Sequence, residues 1–154
     1  MTVAKRIKWD EAATAAQNAR RKLPALVKEY FAQGRAMVRG KPSPAAIHRF
    51  MLRTGRLAYS LELFQSCYGP GLAHRLDALR RVGQFLQDLD DCAAARRIYG
   101  GIFGRMSGVR LRRFLDDRAH RKVAEFRACW TGEVDAKGQE RAWRDYLARA
   151  RQAR

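Results

Sequence analysis

Apolar residues recur at alternating three- and four-residue steps along most of the chain, which is the pattern of amphipathic α-helices. The clearest case begins at Ser43, a good helix N-cap, followed by Pro44 at the first helical position, where proline is tolerated. Its apolar stripe consists of Ile47, Phe50, Thr54, Leu57, Leu61, Phe64 and Tyr68. The pattern predicts one helix over 43–68 that stops at the strong breaker Y-G-P-G.

The segment before this helix predicts a long first helix. Apolar residues keep a heptad-like spacing from about Trp9 to near Gly40, where G-K-P-S-P breaks the pattern. Pro24 lies inside the pattern, so a kink or a junction of two abutting helices is expected there. The first eight residues are basic, and we expect them to form a loose N-terminal arm.

Further helices are predicted after the breaker. A third helix starts near Gly71, and the acidic run D-L-D-D at 88–91 predicts the N-cap of a short separate helix. Four glycines predict a loop at 100–108. A fourth helix then continues to Trp130, the segment T-G-E-V-D-A-K-G breaks it, and a last helix covers about 139–152.

Short connections between helices favour antiparallel neighbours. We therefore predict an all-α fold, an antiparallel up-down four-helix bundle with an extra C-terminal helix. No stretch alternates as a β-strand does. A chain of 154 residues suits one domain, 1–154, with one core, and a hydrophobic content of 47% is ample for that core.

The net charge indicates that this helical bundle has a binding function. The formal net charge is +17 and the pI is near 11.0, far beyond what solubility requires. Arginine supplies 25 of the 32 basic residues, and its planar guanidinium group suits phosphate. Codon bias would also enrich arginine, but it does not account for the net charge. An anionic partner is expected.

The helix that begins at Ser43 carries a basic face besides its apolar stripe. Arg49, Arg53 and Arg56 lie at i, i+4 and i+7, with His48 beside them. Glu62 is the only acidic residue of this helix, and basic charges that repel one another with so few acidic partners favour neutralisation by an external anion. The alternative is an ordinary solvated face.

The same helix carries a family resemblance. I-H-R-F-M-L-R-T-G-R-L-A-Y, residues 47–59, is similar to the signature helix of the CHAD domain (conserved histidine α-helical domain), whose pattern is roughly I-H-q-x-R-V-x-x-K-R-L-R-Y. The stretch L-D-A-L-R-R-V-G-Q-F-L-Q-D-L-D-D from Leu76 resembles the next motif, L-x-x-L-Q-x-x-L-G-x-x-x-D. The resemblance is close over about 43–100. It implies an all-helical module, half of a CHAD fold, that binds inorganic polyphosphate without being catalytic.

The signature is incomplete in this chain. Met51, Gly55 and Ala58 stand where arginine or lysine is usual in the family. These replacements leave open the path of a phosphate chain over the surface. The predicted polyphosphate-binding set comprises His48, Arg49, Arg53, Arg56, Arg75, Arg80, Arg81, Lys28 and Arg113.

We expect no enzyme activity, catalytic residue, metal or cofactor. There is no Walker-type phosphate loop. The acidic residues Asp88, Asp90, Asp91 and Asp116–Asp117 could in principle hold Mg²⁺, but such residues more often cap helices and pair with arginine. The three cysteines, Cys67, Cys92 and Cys129, are widely spaced, which favours buried free thiols over disulfides or zinc.

Partners and location follow from the resemblance and the charge. CHAD proteins usually contain two such bundles and this chain has room for one, so a C2 homodimer is expected. Without an apolar run of membrane-spanning length or a signal peptide, a cytoplasmic location on polyphosphate granules is expected. The alternatives are a nucleic-acid-associated basic protein and an interaction module for an acidic protein partner.

Overall fold

A computed structural model of the protein describes residues 8–102 and 108–151. The arm expected at 1–8 lies almost wholly outside these ranges. Every regular element within them is helical, which confirms the all-α prediction. The α-helices are α1 (Ala15–Arg39), α2 (Pro44–Leu63), α3 (Gly71–Ile102), α4 (Gly108–Cys129) and α5 (Gln139–Leu147). A 3₁₀ turn, Gln65–Cys67, follows α2, and a π-helical turn, Trp130–Val134, follows α4.

Helix α1 begins later than predicted, because a capping box defines its start. The Gln17 backbone N–H donates to Thr14 Oγ1 at 3.3 Å, and the Thr14 backbone N–H donates to Gln17 Oε1 at 2.9 Å. Trp9 therefore precedes the helix. Pro24 lies inside one continuous helix, so the alternative of two abutting helices is wrong.

Helix α2 begins where its sequence signals predict. Ser43 is the N-cap, its Oγ accepts from the Ala46 backbone N–H at 3.2 Å, and Pro44 is the first helical residue. The helix ends at Leu63 rather than at Tyr68, because the chain tightens into the 3₁₀ turn before the Y-G-P-G break.

Helix α3 runs without interruption through D-L-D-D, so the predicted short helix starting there is wrong. The carboxylates of this run contact neighbouring helices instead of capping a new one. Asp88 Oδ2 lies 3.2 Å from Lys122 Nζ of α4, and Asp90 Oδ2 lies 3.2 Å from His48 Nδ1 of α2. The helix also continues through Gly100, and most of the predicted 100–108 loop, residues 103–107, lies outside the described ranges.

The predicted break after Trp130 is a π-helical turn followed by an irregular turn. The Asp135 backbone N–H donates to the Trp130 carbonyl five residues back, at 2.7 Å. Gly138 then adopts a left-handed φ of 85°, which glycine allows without strain. Helix α5 starts at Gln139, as predicted, and ends at Leu147, earlier than expected.

Helices α2, α3 and α4 are antiparallel in succession, because residues late in one helix contact residues early in the next. Glu62, near the end of α2, pairs with Arg80 in the first part of α3 at 3.2 Å. Arg96, late in α3, pairs with Asp116, early in α4, at 2.9 Å. The up-down bundle with an additional C-terminal helix agrees with the prediction.

Helix α5 is fastened to α1 by one arginine and an aromatic pair. Arg35 donates from Nε and Nη2 to both carboxylate oxygens of Asp135, at 2.7 and 2.6 Å, and its Nη1 lies 2.7 Å from Glu140. The ring of Phe31 meets that of Trp143 edge-on at 5.5 Å. These contacts orient the C-terminal helix along α1.

Buried side chains from all five α-helices form one core cluster. Its centre is Trp130, which is 1% exposed and packs against the rings of Tyr30, Phe31, Phe50 and Phe126. The three cysteines are buried free thiols, as predicted. None of the described helices is both long enough and apolar enough to cross a bilayer.

One buried and one half-buried phenol, those of Tyr30 and Tyr68, predict alkaline sensitivity. Tyr30 shares a hydrogen bond with Thr54 Oγ1 at 3.1 Å, and Tyr68 donates to the Leu147 carbonyl at 2.8 Å. Burial raises the pKa of both phenols well above their ordinary value. Each phenol therefore ionises more readily in the unfolded chain. The stability linked to this shift is complete below about pH 10 and is lost as the pH rises further.

We expect Tyr30→Phe to flatten the decline of unfolding free energy between about pH 9 and pH 11, measured by urea denaturation. The exposed Tyr59 provides the control, and Tyr59→Phe should leave the decline unchanged. An identical pH dependence in wild type and Tyr30→Phe would contradict the prediction.

Candidate functional site

The two sides of α2 carry different polar groups. His48 lies on the side of α3, where its Nδ1 is 3.2 Å from Asp90 Oδ2. Arg49 and Arg53 lie on the side of α1, where both line a groove. The structure therefore does not bring His48 together with Arg49 and Arg53, although the three residues are close in sequence.

The groove on the α1 side, which we call the α1–α2 groove, has a volume of about 450 Å³. It is lined by Gln33, Ala36, Met37, Gly40, Lys41, Pro42, Ser43, Ala46, Arg49, Phe50 and Arg53. Three of these residues are cations and none is acidic. Its walls are the end of α1, the connection that follows and the start of α2.

The cations of the α1–α2 groove are weakly neutralised by the protein itself. Arg53 Nη1 lies 3.7 Å from Glu29 Oε1, and both side chains are exposed, so this pair contributes little to stability. Within the described ranges, the Arg49 side chain makes no hydrogen bond or ion pair. The positive end of the α2 dipole also lies at this groove, next to Ser43.

Two cations at the α1–α2 groove were missed by sequence reasoning. Lys41 belongs to the break G-K-P-S-P, and a basic residue just before a helix N-cap was an available signal. Arg127 of α4 donates from Nη2 to the Gly40 carbonyl at 2.7 Å, which brings another guanidinium group next to a groove residue. No sequence signal links Arg127 to Gly40, which lies 87 residues earlier in the chain.

Arg56 extends the basic face of α2 beyond the groove. It lies one turn after Arg53, is exposed, and forms no side-chain hydrogen bond or ion pair with the described residues. Arg49, Arg53 and Arg56 therefore form a row along α2, as their spacing predicts.

The two adjacent arginines of α3 are engaged with carboxylates. Arg80 Nη1 lies 2.9 Å from Asp77 Oδ1, and its Nη2 lies 3.2 Å from Glu62 Oε1. Arg81 Nη2 lies 2.8 Å from Glu133 Oε2, after α4. The two side chains thus point to different neighbours rather than to one shared surface.

Arg75 lies at the opposite end of the bundle from the α1–α2 groove, where its side chain is held by contacts within the protein. Its guanidinium carbon lies 3.9 Å from the centroid of the Tyr146 ring, and its Nη1 donates to the Gly71 carbonyl at 2.8 Å. Burial lowers the pKa of Arg75 from its ordinary value. These contacts tie the start of α3 to α5.

The remaining predicted cations lie apart from the groove. Lys28 is exposed on α1, about 100° around the helix from its neighbour Glu29, which faces Arg53. Arg113 is exposed on α4. It belongs to a set of exposed arginines without hydrogen bonds or ion pairs in the described ranges: Arg110, Arg112, Arg113, Arg118 and Arg121.

Several acidic side chains form ion pairs with cations, some between helices and some within one helix. Asp88 and Glu125 both contact Lys122, at 3.2 and 2.9 Å, and the pKa of Lys122 is raised by these two partners, Glu125 first. In the part of the chain that the structure describes, no group of three or more histidine, cysteine or acidic side chains is placed to hold a metal ion.

Fold and groove together define the class of protein: a strongly basic helical bundle with an open, arginine-lined groove between its first two helices. The sequence matches the family model of the CHAD domain over residues 3–99, more than half of the chain, and the protein belongs to the CHAD-domain family. The match spans α1, α2 and α3 as far as Tyr99, whereas α4 and α5 lie outside it.

CHAD domains in general bind polyphosphate, and they are generally binding domains rather than catalytic ones. No significant match to a curated protein or to a solved structure was found. Three basic positions of the family's signature pattern remain replaced here. Met51 and Ala58 are half-buried against the core, and Gly55 is exposed.

Proposed function

We propose that this protein binds inorganic polyphosphate without chemical turnover, and that the polyphosphate first contacts the protein at the α1–α2 groove. The observation that carries this proposal is the composition of that groove. Lys41, Arg49 and Arg53 line one open concavity that no acidic residue lines. Family membership and the net charge of +17 support the same ligand.

A linear polyanion suits this arrangement because its phosphate charges are regularly spaced, and the arginines of α2 also recur at regular intervals along the helix. Arg49, Arg53 and Arg56 lie along one side of α2 over about 10 Å, at a rise of about 1.5 Å per residue. Each guanidinium group can donate two parallel hydrogen bonds to phosphate oxygens. Binding would release counterions, so affinity should fall steeply with added salt.

The other predicted residues have different roles in this proposal. The exposed Lys28 and Arg113 would extend the positive field around the bound polymer. His48, Arg80 and Arg81 would first have to exchange an internal carboxylate for phosphate, and Arg75 would have to leave Tyr146. We therefore propose that these four contribute less than the arginines of the groove. Binding of this kind would place the protein on polyphosphate granules.

The test is a titration of long-chain polyphosphate against Arg49→Ala with Arg53→Ala across a range of salt concentrations. We expect affinity at low salt to fall about tenfold and the slope of log K against log salt to decrease by about 1 to 2, because two phosphate contacts are lost. The side chain of Arg53 is exposed and Arg49 has no described partner, so helicity should not change.

The matched control removes the same charge elsewhere. Arg141→Ala with Arg149→Ala also removes two exposed arginines, one in α5 and one just after it, neither of which lines the groove. This variant should keep at least about half of the wild-type affinity, because only the long-range field is weakened. Equal losses in the two double variants would show that the groove is not the site.

Competition separates polyphosphate from nucleic acid. Both polymers present regular phosphates, so charge alone does not decide between them. If polyphosphate is the ligand, DNA and RNA at equal phosphate concentration should displace it poorly. Efficient displacement by either nucleic acid would favour the alternative of a nucleic-acid-associated protein. The homodimer expected from the sequence stays a prediction, which light scattering with and without polyphosphate would decide.

A further inference from the structure

The outer face of α2 carries large apolar side chains that nothing in the described structure covers. Leu52, Tyr59 and Leu63 are 46%, 66% and 57% exposed. Their spacing of i, i+7 and i+11 puts them in one row along the helix. Isolated exposed apolar residues are ordinary, but three in one row on one helix form a surface that another element could cover. We call this row the outer stripe.

The outer stripe has the shape that accepts a helix. Leu52, Gly55, Arg56 and Tyr59 occupy positions i, i+3, i+4 and i+7, the diamond of four residues that forms a hole for a side chain of a facing helix. One of the four is Gly55, which has no side chain, and an added Cβ there would meet nothing within 4 Å, so the position leaves room for an incoming side chain.

The charge beside the outer stripe indicates the chemistry of the partner. Arg56 is part of the hole, is exposed, and its guanidinium group makes no hydrogen bond or ion pair among the described residues. Arg49 and Arg53 lie on the adjacent flank of α2. A second copy of this chain packed about Gly55 would bring Arg56 close to its own counterpart, and like charges in contact oppose pairing. Carboxylates on the partner would instead be attracted.

We propose that the outer stripe of α2 docks an acidic amphipathic helix of another protein, with an apolar side chain in the hole above Gly55 and carboxylates beside Arg56. This is a helix-on-helix mode of recognition on a surface that shares Arg56 with the arginine row proposed for polyphosphate but includes no residue of the α1–α2 groove. Polyphosphate carries no apolar group, so it gains nothing from Leu52, Tyr59 or Leu63. The acidic partner would bind through shape and charge together.

The probe is a synthetic amphipathic helix with leucine at heptad positions a and d and glutamate at e and g, which also keeps the peptide from pairing with itself. A scrambled peptide of identical composition is its control. We expect the amphipathic peptide to bind the full chain at least about tenfold tighter than the scrambled one, measured by fluorescence anisotropy. Amide chemical shifts should change around Gly55 and Tyr59 and remain constant in α5.

The variant Gly55→Leu fills the hole while leaving every arginine in place. Because Gly55 is exposed on a helix with open space at Cβ, the variant should fold. Its affinity for the amphipathic peptide should fall about tenfold or more, whereas its affinity for polyphosphate should stay within about twofold. The double variant Arg49→Ala with Arg53→Ala tests the polyphosphate proposal, and Gly55→Leu tests the present one. Each proposal can therefore fail without the other.

Three results would overturn the proposal. Equal binding of the scrambled and amphipathic peptides would show that binding depends on the charge of the peptide and not on its apolar face. A homodimer of the free protein that Tyr59→Lys dissociates would assign the stripe to a second copy. Binding to vesicles of phosphatidylserine and phosphatidylcholine, abolished by Leu52→Ser with Leu63→Ser, in the absence of peptide binding would assign it to an anionic membrane surface.

Discussion

Replacing Gly34 with alanine should destabilise the protein by roughly 3 kcal/mol or more, because overpacking a rigid core is costly. A Cβ atom at this position would lie 1.9 Å from Trp130 Cζ2 and 2.0 Å from Cη2. The indole cannot swing aside, since it is 1% exposed and surrounded by other aromatic rings. Thermal unfolding followed by circular dichroism should show a melting temperature lower by roughly 10 °C.

A second glycine supplies the matched control. Gly55 is exposed in α2 and has open space at its Cβ. Gly55→Ala should therefore stabilise the protein by up to about 1 kcal/mol, because alanine is the better helix former. The two Gly→Ala changes should have opposite signs. A similar effect at both glycines would show that the close packing of α1 against Trp130 is not present in solution.

Replacing Phe31 with alanine should cost about 3 to 5 kcal/mol, the usual range for a fully buried phenylalanine. Its ring is 0% exposed and contacts both Trp130 and Trp143. These tryptophans belong to the part of the chain after residue 99. The loss should therefore appear as a lower urea midpoint together with a changed near-ultraviolet circular dichroism signal from the tryptophans.

The same substitution at an exposed ring tests the cause. Phe114 is 54% exposed on α4, and Phe114→Ala should change the unfolding free energy by no more than about 0.5 kcal/mol. If Phe31→Ala were equally mild, the packing of α5 and the π-helical turn on α1 would not contribute to global stability.

Helix starts with strong local signals were predictable from sequence, whereas contacts between helices were not. Ser43 and Pro44 act within one turn of the backbone they cap, so α2 begins where they predict. The acidic run at 88–91 carries the same kind of local signal, yet its carboxylates bind Lys122 and His48. These partners are distant in sequence, so no local signal in α3 indicates that its carboxylates contact other helices instead of starting a new one.

The basic character of the site was predictable from the sequence, but the set of residues that form it was not. The spacing of Arg49 and Arg53 places them on one side of α2, and the structure agrees. The other wall of their groove comes from α1 and the connection with Lys41, which no periodicity of α2 reveals. Equally, the carboxylates that contact Arg80 and Arg81 come partly from other segments, so the sequence alone could not separate engaged cations from available ones.

The π-helical turn at Trp130–Val134 makes the placement of α5 depend on chain length. A π turn holds one residue more than an α turn, so everything after it is rotated relative to α4. Deleting a single residue within 131–133 would restore the ordinary pitch and turn the following segment by about 100°. Asp135 would then face away from Arg35. The number of residues in the turn, rather than their side chains, thus determines how far the C-terminal segment is rotated about the axis of α4.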